Sequence, residues 1–202
     1  MGDLSRRRKL GRIGKAVGAQ VASGKFEPTG RLRPRIIERK SRPGFHHPAG
    51  KKAIGEILES VGPVAFYGLR SIELVRAPDN AVTSVPLFGR YCVPGRIILY
   101  EQLMPPWRLS GLLKEAVARQ LEQAGAVLAR LTDVGATLVD WPQDTLGRFM
   151  SEHVLLHELG HHVLQHHKGK RPARIARTRD HEAFAARFAE KQRAALMKGR
   201  GH

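Results

Sequence analysis

Apolar residues recur every three or four positions in four stretches of the chain, which is typical of amphipathic helices. The first stretch ends at Gly62-Pro63, and its apolar positions are Ile54, Ile57, Leu58 and Val61. The same spacing predicts helices over residues 110–131, from 144 or 145 to about 167, and from 177 or 178 to about 198. A shorter repeat over residues 13–21 predicts one more helix near the N-terminus.

Short runs rich in β-branched and aromatic residues predict strands between these helices. They cover residues 64–67, 71–75, 85–92, 96–100 and 136–139. Pro94-Gly95 separates two of the runs and predicts a hairpin turn. Strands that precede helices without strict alternation indicate the α+β class, with a small antiparallel sheet.

Charge divides the chain of 202 residues into two parts. The whole chain has a net charge of +17, and residues 1–52 contain 15 Lys and Arg against 3 Asp and Glu. Residues 53–202 contain 20 Lys and Arg against 15 acidic residues. We therefore expect a basic, flexible N-terminal arm over residues 1–52 and a folded domain over 53–202.

The arm has two interpretations. It is either a solvated tail or an attachment site for nucleic acid or another polyanion. Phe26 and Phe45 are its only aromatic residues. Binding through the arm would therefore depend on salt and not on base sequence, because few rings could stack on bases.

Several classes of protein are excluded or disfavoured. No apolar run approaches the ~18 residues that a membrane span needs, so no membrane partner is expected. Cys92 is the only cysteine, which excludes an intramolecular disulfide and a zinc site built on two thiolates. Arg12 and Lys15 interrupt the only candidate signal segment, so a cytoplasmic location is expected.

The candidate chemistry lies in the segment His157-Glu158-Leu159-Gly160-His161, an H-E-x-x-H pattern. Residues four apart share one face of a helix, so both imidazoles can reach one metal ion. Glu158 then lies close enough to accept a proton from a water molecule bound to that metal. Gly160 is unfavourable inside a helix, which indicates close approach of another backbone or a ligand.

A metal site of this kind needs a third protein ligand. The last helix offers Glu182, with His181 and Asp180 as alternatives. We prefer Glu182 because small residues share its helix face and would allow close packing of the two helices. These residues are Ala185, Ala186 and Ala189.

The two motifs together resemble those of zincin metallopeptidases, and in detail the gluzincin-like ImmA/IrrE family. That family combines H-E-L-G-H on one helix with E-x-x-A-[ND]-x-F-A on the next. The second motif is matched by Glu182, Ala185, Phe188 and Ala189, while Ala186 stands at the Asn/Asp position. The resemblance covers roughly residues 96–197.

The resemblance implies a zinc-dependent endopeptidase with Zn²⁺ held by His157, His161 and Glu182, and with Glu158 as the catalytic base. It also implies a protein substrate, characteristically a DNA-bound regulator. One alternative is a protease resembling the SprT group, with His181 as third ligand. The other is a non-catalytic nucleic-acid-binding protein with a vestigial metal site.

Substrate binding and transition-state stabilisation leave further alternatives open. An extended peptide substrate would pair with an edge strand. Residues 96–100 are our first candidate for that strand and residues 136–139 our second. Candidate oxyanion stabilisers are Tyr100, His162 and Arg179. Residues 168–179 contain six positive charges and form either a solvated loop or a rim that attracts an acidic partner.

Overall fold

The computed structural model describes residues 33–78, 86–167 and 179–199, all within the unit Arg31–His202. Predictions for residues 1–32, 79–85 and 168–178, including the short helix over 13–21, lie outside the described residues. Within them the chain combines small sheets with helices, so the predicted α+β class is confirmed. None of the helices in this part of the chain is long and apolar enough to cross a bilayer.

A four-stranded sheet forms the centre of the structure. Its spatial order is β1-β3-β5-β4. The strands are β1 (Arg35–Glu38), β3 (Ser71–Val75), β4 (Gly89–Cys92) and β5 (Arg96–Tyr100). A separate two-stranded ribbon pairs β2 (Phe45–His46) with β6 (Gln102–Leu103).

The prediction of an antiparallel sheet is wrong for most of this sheet. Strands β1, β3 and β5 run parallel, and only β4 is antiparallel to its neighbour β5. Parallel neighbours need a long crossover connection. Helix α1 (Lys51–Val61) and the short helix α2 (Pro63–Phe66) lie in the connection from β1 to β3. Residues 64–66 of the strand predicted over 64–67 are thus helical, and Pro63 occupies the first position of this helix, where proline is tolerated.

Part of the predicted arm belongs to the folded unit. Strand β1 pairs with β3 over all four of its residues, so the boundary expected at residue 52 lies too far along the chain. The Arg42 side chain forms an ion pair with Glu101 (Nε to Oε1, 2.5 Å). The Arg42 amide donates a second hydrogen bond, of 2.8 Å, to the same carboxylate. Strand β1 was not predicted from the sequence, because it has only two apolar residues and lies in a strongly basic stretch.

A second sheet includes both ends of the segment predicted as one helix over residues 110–131. It is antiparallel, with the order β7-β9-β8. Its strands are β7 (Trp107–Ser110), β8 (Val127–Leu131) and β9 (Ala136–Asp140). Between β7 and β8 only α3 (Glu115–Gln123) is helical. Gly125 adopts φ +97°, a conformation that glycine accepts readily, and so separates α3 from β8.

From Thr145 onwards the described residues are helical, as predicted. Helix α4 (Thr145–Arg148) continues through a π-helical segment, Phe149–Leu155, into α5 (Leu156–His167). Helix α6 (Arg179–Gly199) follows. The core lies between the central sheet and these helices, where Leu155, Leu156 and Leu159 pack with Ile72 and Ile97.

Candidate metal centre

Close packing of α5 against α6 positions the candidate ligands. A Cβ atom at Gly160 would lie 2.8 Å from the Cα of Ala185 and 3.0 Å from its carbonyl oxygen. Any larger residue at 160 would therefore push the helices apart. The backbone approach predicted from Gly160 is confirmed. Ala185 and Ala189 are buried as predicted, whereas Ala186 is exposed.

Three side chains from the two helices converge on one point. The Nε2 atoms of His157 and His161 lie 3.2 Å apart. Oε2 of Glu182 lies 3.2 Å from the first of these nitrogens and 3.5 Å from the second. His161 is buried, while 46% of the Glu182 side chain is exposed, so the group is reached from one side.

The spacing of these three atoms fits a tetrahedral zinc ion. Zinc–nitrogen and zinc–oxygen bonds of about 2.0–2.1 Å place neighbouring ligand atoms about 3.3–3.4 Å apart in a tetrahedron. The observed separations are 3.2, 3.2 and 3.5 Å. Two neutral imidazoles and one carboxylate are also a ligand set that zinc accepts, and three protein ligands leave the fourth position open.

Glu158 does not belong to this triangle and contacts the central sheet. Only 5% of the residue is exposed, and its Oε2 accepts a hydrogen bond of 2.5 Å from the Tyr91 amide of β4. Helix α5 thus supplies His157 and His161 as candidate ligands, while Glu158, next to His157 in the chain, is hydrogen-bonded to a strand. This contact fixes the position of the Glu158 carboxylate against β4.

The alternative third ligands do not join the group. Within the described residues, the cluster capable of holding a metal consists of His157, His161 and Glu182. Asp180 is exposed and His181 is partly exposed, and neither belongs to it. That His157, His161 and Glu182 bind a metal stays a prediction, but the geometry favours Glu182 over His181.

The candidate oxyanion stabilisers occupy three different places. His162 is buried, and its Nε2 donates a hydrogen bond of 2.9 Å to the Tyr67 carbonyl. Tyr100 is buried at the end of β5. Arg179 is exposed at the start of α6, three residues before Glu182. Arg179 therefore remains a candidate oxyanion stabiliser, and that role stays a prediction.

Neither strand predicted to bind substrate is an edge strand. Strand β5 pairs with β3 on one side and β4 on the other, and β9 lies between β7 and β8. Both runs are strongly apolar, and a strand between two neighbours is the one that is most buried. The edge of the central sheet near Glu158 is β4. No local signal reveals that β4 lies next to Glu158, because the Tyr91–Glu158 contact joins residues 67 positions apart.

His153, one turn before His157, connects the π-helical segment to α6 and does not belong to the ligand group. Its Nδ1 accepts a hydrogen bond of 2.8 Å from Arg193 of α6. Burial, together with the positive charge of Arg193, lowers the pKa of His153 from 6.5 to about 4. The folded protein therefore keeps His153 neutral in a pH range where the unfolded chain protonates it.

This difference predicts a pH-dependent stability. The contribution of His153 should be complete above pH 6.5 and should be lost as the pH falls from 6.5 towards 4. Urea unfolding of metal-stripped protein across this range should show a weaker pH dependence in His153→Leu than in the wild type. Equal pH dependence in the two proteins would contradict the assignment.

Comparison with protein-family models, with curated proteins and with solved structures finds no match to this chain. Function is therefore inferred from the geometry of this centre and from the resemblance of its two motifs.

Proposed function

We propose that the protein is a zinc-dependent endopeptidase that hydrolyses peptide bonds of a protein substrate. The observation that carries the proposal is the triangle formed by two imidazole nitrogens and one carboxylate oxygen, at separations of 3.2–3.5 Å. A glutamate lies next to the first ligand in the chain. The zincin fold and the ImmA/IrrE resemblance are part of the same proposal.

The residues of the centre have different proposed roles. A bound zinc ion would supply Lewis acidity, which polarises a peptide carbonyl and lowers the pKa of water to about 7. Glu158 accepts the proton of the attacking water and then delivers it to the leaving amine. His157, His161 and Glu182 would hold the ion, and the open side of the triangle would admit the substrate.

Strand β4 is the proposed support for an extended substrate. It is an edge strand of the central sheet, and its Tyr91 amide points away from β5 towards Glu158. A peptide that pairs with this edge would lie beside the catalytic carboxylate. A DNA-bound regulator as the substrate is an expectation from the resemblance alone.

Metal analysis tests the centre directly. We expect about one zinc ion per chain in the purified wild-type protein and almost none in His157→Ala or Glu182→Ala, because two ligands hold zinc poorly. The matched control is His181→Ala, since His181 is adjacent to Glu182 on α6 but lies outside the triangle.

The outcome separates the two peptidase hypotheses. Zinc loss in His181→Ala with zinc retained in Glu182→Ala would support the SprT-like alternative and overturn our ligand set. Unchanged zinc in His157→Ala would remove the basis of the metal centre. Circular dichroism of each variant shows whether the fold is preserved.

A further inference from the structure

The two faces of the central sheet carry different side chains. One face belongs to the hydrophobic core and contains Ile72, Leu74, Ile97 and Leu99. The opposite face, here called the outer face, contains an exposed arginine on three of its four strands. These are Arg35 on β1, Arg90 on β4 and Arg96 on β5.

Strand register places the three arginines across the outer face. Arg35 and Arg96 are both aligned with Ser71 of β3. Their Cα atoms are therefore two strand spacings, or about 10 Å, apart. Arg90 is aligned with Ile98, two residues along β5 from Arg96. Aligned residues of neighbouring strands share a face, so Arg90 lies on the same face as Ile98 and Arg96.

Positive charge exceeds negative charge on the outer face. Among the residues of the four strands, Glu73 is the only acid on this side of the sheet. It accepts a hydrogen bond from Ser71 and lies 3.9 Å from Arg96. Arg35 and Arg90 remain as an excess of two positive charges. The face can therefore attract an anionic partner.

We propose that the outer face binds the phosphate backbone of double-stranded nucleic acid. Guanidinium groups match phosphate oxygens in geometry, and three of them spread over three strands fit a repeating anion better than one small anion. Tyr100 is buried, so it cannot stack on bases. Binding should accordingly be independent of base sequence. The proposal does not depend on the metal centre.

The salt dependence of duplex binding tests this surface. We expect the full-length wild-type chain to bind a labelled DNA duplex with a strong salt dependence, measured by fluorescence anisotropy. In Arg35→Gln/Arg90→Gln/Arg96→Gln the slope of log Kobs against log salt should fall by about 2–3, at ~0.9 per lost phosphate contact. Unrelated duplex sequences should give the same result.

A second triple variant controls for net charge. Arg108→Gln/Arg119→Gln/Arg187→Gln removes three exposed arginines from β7, α3 and α6. Its slope should stay close to that of the wild type, as should that of Glu158→Gln, and thermal unfolding shows that each variant is folded. Equal slopes for both triple variants, or no duplex binding by the wild type, would overturn the proposal. So would a loss of binding to phosphatidylserine vesicles in the first triple variant with duplex binding unchanged.

Discussion

Glu158→Gln is expected to lower the rate of peptide-bond hydrolysis by about 10²–10⁴-fold, the usual contribution of a positioned general base. Gln has nearly the shape of Glu and keeps an oxygen that can accept the Tyr91 amide hydrogen bond. The contact with β4 is therefore expected to survive. What the variant loses is the ability to take a proton from water. Cleavage of labelled casein, followed over time, measures the effect.

Two controls show that this loss is chemical. The zinc content of Glu158→Gln should equal that of the wild type, because Glu158 is not part of the ligand triangle. Glu190→Gln, an exposed position on α6, should retain full activity. If Glu158→Gln kept more than about a tenth of the wild-type rate, Glu158 would not be the general base.

Arg42→Ala is expected to destabilise the folded unit by about 3–5 kcal/mol, the cost of leaving a buried carboxylate without its ion partner. The Glu101 side chain is 0% exposed and that of Arg42 is 22% exposed. The substitution also removes the Arg42 guanidinium from the Phe45 ring, 4.4 Å from its centroid. Urea unfolding measures the change in the free energy of unfolding.

An exposed ion pair provides the matched control. Arg33 and Glu59 lie 3.1 Å apart, but their side chains are 65% and 60% exposed. Arg33→Ala should therefore cost no more than about 1 kcal/mol. In the double variant Arg42→Met/Glu101→Leu, stability should recover in part, because no buried charge is left unpaired. Equal effects of Arg42→Ala and Arg33→Ala would show that the buried pair contributes little.

The central strands and the long helices could be predicted because their local patterns agree with their final surroundings. Residues 71–75 and 96–100 are apolar and β-branched, and both form strands with the predicted bounds. The apolar repeat from Ile54 to Val61 gives a helix because one face of it packs on the core. In these segments local propensity and burial favour the same structure.

Prediction failed where distant contacts decide the conformation. Over residues 110–131 leucine and alanine spacing favoured one helix, but strand pairing with β9 makes residues 127–131 extended. Strand β1 has the sequence Arg-Ile-Ile-Glu, too short and too charged to be recognised within a basic segment. Its strand structure depends on pairing with β3, more than thirty residues further along the chain.

The candidate site shows the same division. The spacing of His157 and His161 on one helix is a local property, so it could be read directly. Glu182 was preferred over His181 and Asp180 because Ala185 and Ala189 allow close helix packing, and the structure brings Glu182 to the two imidazoles. The sequence predicted a strand over residues 85–92, which includes β4, but its contact with Glu158 could not be found in this way, because the two residues are 67 positions apart.

The sequence by itself determined the helical positions of the two imidazoles, the glycine that lets α6 approach, and the excess of positive charge. Each of these follows from residue type and from spacing within a few turns of chain. Only the tertiary structure decided that Arg42 pairs with the buried carboxylate of Glu101, that β4 forms the sheet edge beside Glu158, and that three arginines share one face. Those arrangements depend on contacts between segments that are far apart in the chain. The sequence of any single segment therefore does not predict them.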